Sequence, residues 1–141
     1  MWTAHPFEPT GPARKLPLWA GAVPAGFPSP AENYVESALD LNDYLVAHPA
    51  ATFFVRTKGR SMEGAHIFDG DILVVDRALT AADGSIVIAA LDDAFTVKYF
   101  RQLGARCWLQ AASPPTWRIA PKEGQHLSVW GVVVGCVRKL R

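Results

Sequence analysis

The sequence predicts a mostly β fold with one or two short helices. From Ala51 onward it falls into short segments rich in Val, Ile and Phe, each of strand length. Pairs of turn-forming residues separate these segments, and no helices intervene. Short strands at this spacing favour a compact antiparallel or mixed sheet. The candidate strands are residues 52–57, 71–76, 85–91, 94–101, 105–111, 116–119 and 127–134.

The turns between these strands contain residues that favour chain reversal. Asp92-Asp93 predicts a tight turn that joins residues 85–91 and 94–101 as a hairpin. The turn-forming pairs are Asp69-Gly70, Asp83-Gly84, Asp92-Asp93, Pro114-Pro115 and Glu123-Gly124.

The first thirty residues differ from the rest because they hold seven of the eleven prolines. Proline fixes φ and has no amide proton, so a continuous helix or a central strand does not fit there. We predict an extended, Pro-rich arm over residues 1–28 and a β-rich domain over residues 29–141. Composition alone favours a simpler alternative, a disordered leader without a role.

Two short helices are expected between the arm and the first strand of the β-rich segment. Residues 29–32, Ser-Pro-Ala-Glu, form a capping box with proline at the first helical position. The helix that follows should bury Tyr34, Val35 and Leu39. Residues 40–45 predict a second helical turn, which should end near His48-Pro49.

Length and charge limit the possible functions. The chain has 141 residues, half of them hydrophobic, which suits one domain with a substantial core. The formal net charge is +1 without a basic stripe, so direct DNA binding by charge is not expected. Two cysteines without metal-ligand spacing, and no secretory signal or apolar membrane-span segment, predict a cytoplasmic protein with reduced thiols.

Ser61 and Lys98 are the residues that suggest chemistry. Ser61 follows an apolar strand-like run, and Lys98 lies in the middle of a later one. A serine hydroxyl becomes a good nucleophile when a base removes its proton, and a lysine serves as that base when burial lowers its pKa. The pair therefore suggests a Ser-Lys hydrolase. Taken singly, each residue has a commoner interpretation: Lys98 as an edge-strand lysine, and Ser61 as a polar turn residue.

Other polar and aromatic residues are interpreted as structural. The spacing of His48, His66 and His126 matches no metal-ligand pattern. Asp69 and Asp71 flank Gly70 and suit a turn that opens a strand. The tryptophans at 108, 117 and 130 are expected in the core or in a dimer interface, because no basic groove accompanies them. No cofactor or metal is implied.

Several motifs in order resemble the self-cleaving serine peptidases of the LexA type, peptidase family S24. The motifs are Gly59-Arg60-Ser61-Met62, Asp69-Gly70-Asp71 and Phe95-Thr96-Val97-Lys98. Upstream, residues 25–31, 34–36 and 40–42 and His48-Pro49 resemble the UmuD-like members, the SOS mutagenesis proteins. Together the matches cover roughly residues 18–137, and the ordered set is far more specific than any one tetrapeptide.

The resemblance implies a compact LexA-type β fold and a role for each matching residue. Ser61 would be the nucleophile and Lys98 the general base. The bond between Ala25 and Gly26 would be cut by the protein itself. The main-chain amides of Arg60 and Ser61 would hold the oxyanion.

The resemblance also implies partners. The protein would form a homodimer, and a RecA filament on single-stranded DNA would stimulate cleavage after DNA damage. The trimmed form would then serve as the accessory subunit of a UmuC-type Y-family polymerase in translesion synthesis.

Three alternatives to this assignment fit the sequence less well. A repressor of the LexA or phage type would carry a helix-turn-helix domain before the cleavage site, where only about two dozen proline-rich residues stand. A signal peptidase would need a membrane anchor. A non-cleaving accessory module of a polymerase would keep the fold without the chemistry, although Ser61 and Lys98 are both present.

Overall fold

The computed structural model describes residues 12–19, 22–28 and 35–141. The described residues form two compact units, one ending at Ala47 and the other spanning His48–Arg141. No helix in the described ranges is both long and apolar enough to cross a membrane.

The first unit contains a two-stranded antiparallel sheet and one short helix. Strand β1, Leu16–Trp19, pairs with strand β2, Val35–Leu39. Pro17 is compatible with β1 because a two-stranded sheet leaves one side of each strand unpaired. Helix α1, Leu41–Leu45, follows Asp40, whose side chain accepts a hydrogen bond from the Asn42 amide at 2.9 Å. The predicted helical turn at residues 40–45 is therefore confirmed.

The prediction of a helix just before α1 is wrong over Val35–Leu39, the part of that segment that the structure describes. Val35–Leu39 is a strand because its main chain finds hydrogen-bonding partners in Leu16–Trp19, which lies far away in sequence. Tertiary pairing of this kind overrides a local helix-start signal. The proposed capping box at residues 29–32 lies outside the described residues.

The second unit is a seven-stranded antiparallel sheet with the order β3-β4-β9-β5-β6-β7-β8. Short 3-10 turns at Pro49–Ala51 and Glu63–Ala65 flank its first strand. The strands are β3 Thr52–Arg56, β4 Ile72–Asp76, β5 Ile86–Leu91, β6 Ala94–Leu103, β7 Arg106–Gln110, β8 Arg118–Ile119 and β9 Leu127–Val137.

The mostly β fold predicted from the sequence is confirmed, and all seven candidate strands are present with small shifts at their ends. The predicted hairpin turn is also present. Asp92 and Asp93 both have positive φ, 50° and 67°, and Leu91 pairs with Ala94. Positive φ at both central residues is typical of a type I′ turn, whose twist suits an antiparallel hairpin.

Two hydrophobic clusters pack against this sheet. One contains Met62, Ile67, Leu73, Val75 and Ile88. The other contains Val87, Ala89, Phe100, Leu109 and Val132. Consecutive residues of β5 belong to different clusters, because successive side chains of a strand point to opposite faces. Both faces of β5 are therefore buried, and β6, which pairs with β5, is held firmly beside it.

A buried carboxylate fixes the end of β9 to the start of β4. Asp71, only 2% exposed, accepts two hydrogen bonds from the Arg138 guanidinium, at 2.7 and 2.6 Å, and one from the Phe68 amide at 2.8 Å. The guanidinium of Arg138 holds the pKa of Asp71 far below its usual value, against the opposite effect of burial. Asp69, Gly70 and Asp71 thus form the expected turn into a strand, and Asp71 also anchors the C-terminal strand.

We expect Asp71→Asn to lower the free energy of unfolding by about 2 kcal/mol at neutral pH, because it removes the charge from a buried carboxylate that is hydrogen-bonded to the half-exposed Arg138. Because the pKa is lowered in the folded state, this stabilisation is present above about pH 4. It is lost as the pH falls further, towards the folded-state pKa. Urea unfolding of both proteins between neutral and acidic pH measures the difference.

Asp83→Asn is the matched control. Asp83 pairs with Arg101 at 3.0 Å, but both side chains are at least 40% exposed, so less than about 1 kcal/mol should be lost. Equal losses in the two variants would contradict the anchoring role of Asp71.

Candidate active site

Ser61 lies in a turn between β3 and β4 that is fixed at several points. The next side chain, Met62, is 4% exposed and packs into the first hydrophobic cluster. On the other side, the amide of Gly59 donates to the Asp69 carboxylate at 2.7 Å. Gly59 has φ +99°, a conformation that favours glycine. These contacts leave the Ser61 hydroxyl little positional freedom.

The loop between β7 and β8 holds the same turn from the opposite side. The amides of Ala112 and Ser113 both donate to the Ser61 carbonyl at 2.9 Å. The Gly64 amide donates to the Ser113 hydroxyl at 2.7 Å. A Cβ at position 64 would lie 2.7 Å from the Ala112 carbonyl oxygen, so this close approach requires glycine.

Lys98 meets Ser61 inside the fold. Its side chain is 4% exposed, and its Nζ donates to the Ser61 Oγ at 3.0 Å. Two further hydrogen bonds go to the Thr96 Oγ1 at 2.7 Å and the Val97 carbonyl at 3.1 Å. The interpretation of Lys98 as an edge-strand lysine that reaches out to water is wrong, because its side chain is buried and bonded to Ser61.

The electrostatics of this pair favour proton transfer. Burial lowers the pKa of Lys98 below its usual value. Among the described residues, no carboxylate lies within salt-bridge distance of its Nζ to oppose that effect. When the amine is neutral, its lone pair can accept the hydroxyl proton of Ser61 along the existing 3.0 Å contact.

Thr96 is a contact of Lys98 that the sequence analysis did not identify. Its hydroxyl oxygen and the lysine Nζ are 2.7 Å apart. The sequence signal for this contact is the two-residue spacing of Thr96 and Lys98, since residues i and i+2 of a strand share a face. The contact fixes the end of a long, flexible side chain beside Ser61.

A cleft of about 260 Å³ opens at the pair, lined by the end of β3, the Ser61 turn and the start of β6. A smaller apolar pocket of about 150 Å³, lined by Val55, Ile88, Phe95 and Trp130, adjoins it. Strand β6 pairs with β7 only from Tyr99 onward. The described residues therefore leave one main-chain edge of residues 94–98 without a strand partner, beside the cleft.

Unused amides lie in the Ser61 turn. Among the described residues, the amides of Arg60 and Ser61 have no hydrogen-bond acceptor. Amides of this kind next to a nucleophile are suited to hold an oxyanion. The assignment of Arg60 and Ser61 to that role stays a prediction.

The other residues singled out in the sequence lie elsewhere. Ala25 and Gly26 belong to the first unit, in the exposed segment 22–28. His48 Nδ1 contacts the buried Asp76 carboxylate at 2.6 Å. Trp130 packs against the first hydrophobic cluster, as expected for a core residue. Trp117 is 48% exposed, and its ring lies over Lys98, a contact that the sequence did not indicate.

Comparison with known proteins supports the resemblance seen in the motifs. The model of the family Peptidase S24-like matches residues 17–134. The protein MucA of Escherichia coli is 43% identical over 130 residues, which cover 90% of this chain and 88% of the relative. The protein ImpA of Shigella flexneri is 41% identical, covering 97% and 94%. The LexA repressor of Ectopseudomonas mendocina is 40% identical, covering 94% of this chain and 66% of the repressor. The chain therefore belongs to the Peptidase S24-like family, with UmuD-like proteins among its relatives.

Proposed function

We propose that this protein is a serine endopeptidase that cuts its own chain between Ala25 and Gly26. Ser61 is the nucleophile and Lys98 the general base. The observation that carries the proposal is the 3.0 Å contact between the Ser61 hydroxyl and a buried lysine without a carboxylate partner among the described residues.

In the first step, the Oγ of Ser61 bonds to the carbonyl carbon of Ala25 while its proton passes to the Nζ of Lys98. The negative oxygen that forms is held by the amides of Arg60 and Ser61. The carbon–nitrogen bond then breaks, and the Lys98 ammonium gives its proton to the Gly26 nitrogen. Residues 1–25 remain as an ester on Ser61.

In the second step, water attacks the ester carbonyl and passes a proton to Lys98. The bond to the Ser61 oxygen breaks, and Lys98 returns the proton to that oxygen. The products are the fragment 1–25 and the chain that begins at Gly26. Each step balances, and the dyad ends as it began.

The cleft supports an extended peptide as substrate. A strand placed along the unpaired edge of residues 94–98 would gain main-chain hydrogen bonds, as in β-augmentation. The adjoining apolar pocket would accept one hydrophobic side chain of that strand. Small residues at positions 25 and 26 suit a scissile bond that must approach Ser61 closely.

The family supports an SOS-related role, and we extend it to the partners. We propose a cytoplasmic homodimer whose cleavage is stimulated by a RecA filament on single-stranded DNA. The trimmed form would join a UmuC-type Y-family polymerase in translesion synthesis. The relatives named MucA and ImpA, which are 43% and 41% identical over 90% and 97% of this chain, support this assignment.

Mass spectrometry tests the reaction directly. The purified protein is incubated at about pH 10, where lysine side chains lose their protons, and separately at neutral pH with RecA filament. We expect a 25-residue fragment and a product whose first residue is Gly26. An intact chain under both conditions would instead favour a polymerase accessory module that keeps the fold without cutting.

A further inference from the structure

We propose that the indole ring of Trp117 stabilises the ammonium form of Lys98 and so keeps self-cleavage slow at neutral pH. Trp117 is a positioning residue in this account, because it acts through Lys98 and not on the scissile bond. The inference rests on the proposed function insofar as Lys98 is the base.

The geometry is that of a cation–π contact. The Nζ of Lys98 lies over the Trp117 ring, 5.1 Å from its centroid. Tryptophan is the most favourable partner for an ammonium group within about 6 Å, and the attraction grows when the cation is shielded from water. Lys98 is almost completely buried, so the contact lies in the favourable range.

The ring is held in place by the loop that also holds Ser61. The Trp117 amide donates to the Pro114 carbonyl at 3.1 Å, and its carbonyl accepts from the Ala111 amide at 2.9 Å. The Gln110 side chain donates to the Pro115 carbonyl at 2.7 Å. Because Ala112 and Ser113 of the same loop bind the Ser61 carbonyl, one segment fixes both the nucleophile and the ring over the base.

Charged groups on the neighbouring elements do not provide the same stabilisation. In the Ser61 turn, Arg60 and Glu63 pair with each other. Around β6, Arg101 pairs with Asp83, and Arg118 lies over Trp108. Strand β5 contains no titratable side chain. The remaining neighbours, Arg56, Lys58 and Tyr99, are cationic or lie on the strand face opposite Lys98.

Two effects therefore act on Lys98 in opposite directions. Burial favours the neutral amine, whereas the face of the Trp117 ring favours the ammonium. Trp117→Leu removes the ring's π face and leaves a smaller apolar side chain, which should release more neutral amine at a given pH as long as Lys98 stays shielded from water. Trp117→Phe retains a weaker π face and more of the apolar cover.

The test measures the proton equilibrium of Lys98 without relying on cleavage. The Ser61→Ala protein cannot cut itself, and it has five lysines, so an NMR titration of their side chains is tractable. Loss of one signal in a Lys98→Gln variant assigns Lys98. We expect Trp117→Leu to lower the Lys98 midpoint by about one pH unit. Trp117→Phe should lower it less.

Trp108→Leu is the matched control, because that ring contacts Arg118 and should leave the Lys98 midpoint unchanged. An unchanged or higher midpoint in Trp117→Leu would overturn the proposal and leave Trp117 as a simple cover. If Trp117→Leu fails to fold, an unchanged midpoint in Trp117→Phe and in Trp117→Met would overturn it equally.

The cleavage assay separates this inference from the proposed function. With Ser61 present, Trp117→Leu should cut up to about tenfold faster than the unsubstituted protein at neutral pH, with the same maximal rate at high pH. A protein that never cuts at any pH, but whose Lys98 midpoint shifts as expected, would contradict the peptidase and leave the Trp117 contact established.

Discussion

Replacement of either Ser61 or Lys98 by alanine should abolish self-cleavage, with a loss of at least about a thousandfold in rate. Ser61→Ala removes the oxygen that bonds to the carbonyl carbon. Lys98→Ala removes the group that takes its proton, and a hydroxyl without a base is a poor nucleophile. Because the two act as a unit, the double variant should be no slower than either single one. The release of the 25-residue fragment, followed by mass spectrometry, measures all three rates.

Lys98→Arg tests the role of Lys98 as the base more specifically than Lys98→Ala does. A guanidinium keeps its positive charge at every accessible pH, so it cannot accept the Ser61 proton. We expect this variant to be inactive, although it retains a cation beside Ser61. Lys122→Ala, in the exposed turn before β9, is the control for a general effect of lysine loss and should cut normally. Cleavage at an undiminished rate in Lys98→Arg would exclude Lys98 as the base.

The strands of the second unit were predictable because each carries its own signal. Apolar segments of strand length alternate with turns that contain Gly, Asp or Pro. Every strand of this sheet then pairs in the antiparallel sense with a strand close to it in sequence or with β9. Strand β2 was not predictable in this way. Its residues follow a good helix-start motif, and their partner, β1, lies in a proline-rich segment that gives almost no strand signal.

The site was only partly predictable for a similar reason. Ser61 and Lys98 were identified by resemblance, and Thr96 follows from its spacing to Lys98. The contacts of the β7–β8 loop come from residues about fifty positions away from Ser61. No local pattern near Ala112, Ser113 or Trp117 indicates that the loop meets Ser61 and Lys98. Such contacts depend on how elements distant in sequence pack together, which the sequence of the loop does not encode by itself.

The rate of self-cleavage should rise steeply with pH and then level off. Only the neutral amine of Lys98 can accept the Ser61 proton, so below its pKa the rate should increase about tenfold for each pH unit. Burial lowers that pKa from the ordinary 10.5. The plateau should therefore begin at a lower pH than an exposed lysine would allow. Fragment release between neutral and alkaline pH gives the profile, and a rate that does not change over this range would contradict lysine as the base.

The same proton equilibrium predicts a change in stability. Between the lowered pKa of the folded protein and 10.5, the unfolded chain binds more protons at position 98 than the folded one. Lys98 should therefore add to the free energy of unfolding a contribution that rises with pH across that window. Lys98→Met keeps the volume and removes the titration. When both proteins also carry Ser61→Ala and so stay uncut, the difference between their free energies of unfolding in urea should shift with pH in the same window. If the rate of self-cleavage rises with pH but this shift in the free energy of unfolding is absent, a group other than Lys98 controls the chemistry.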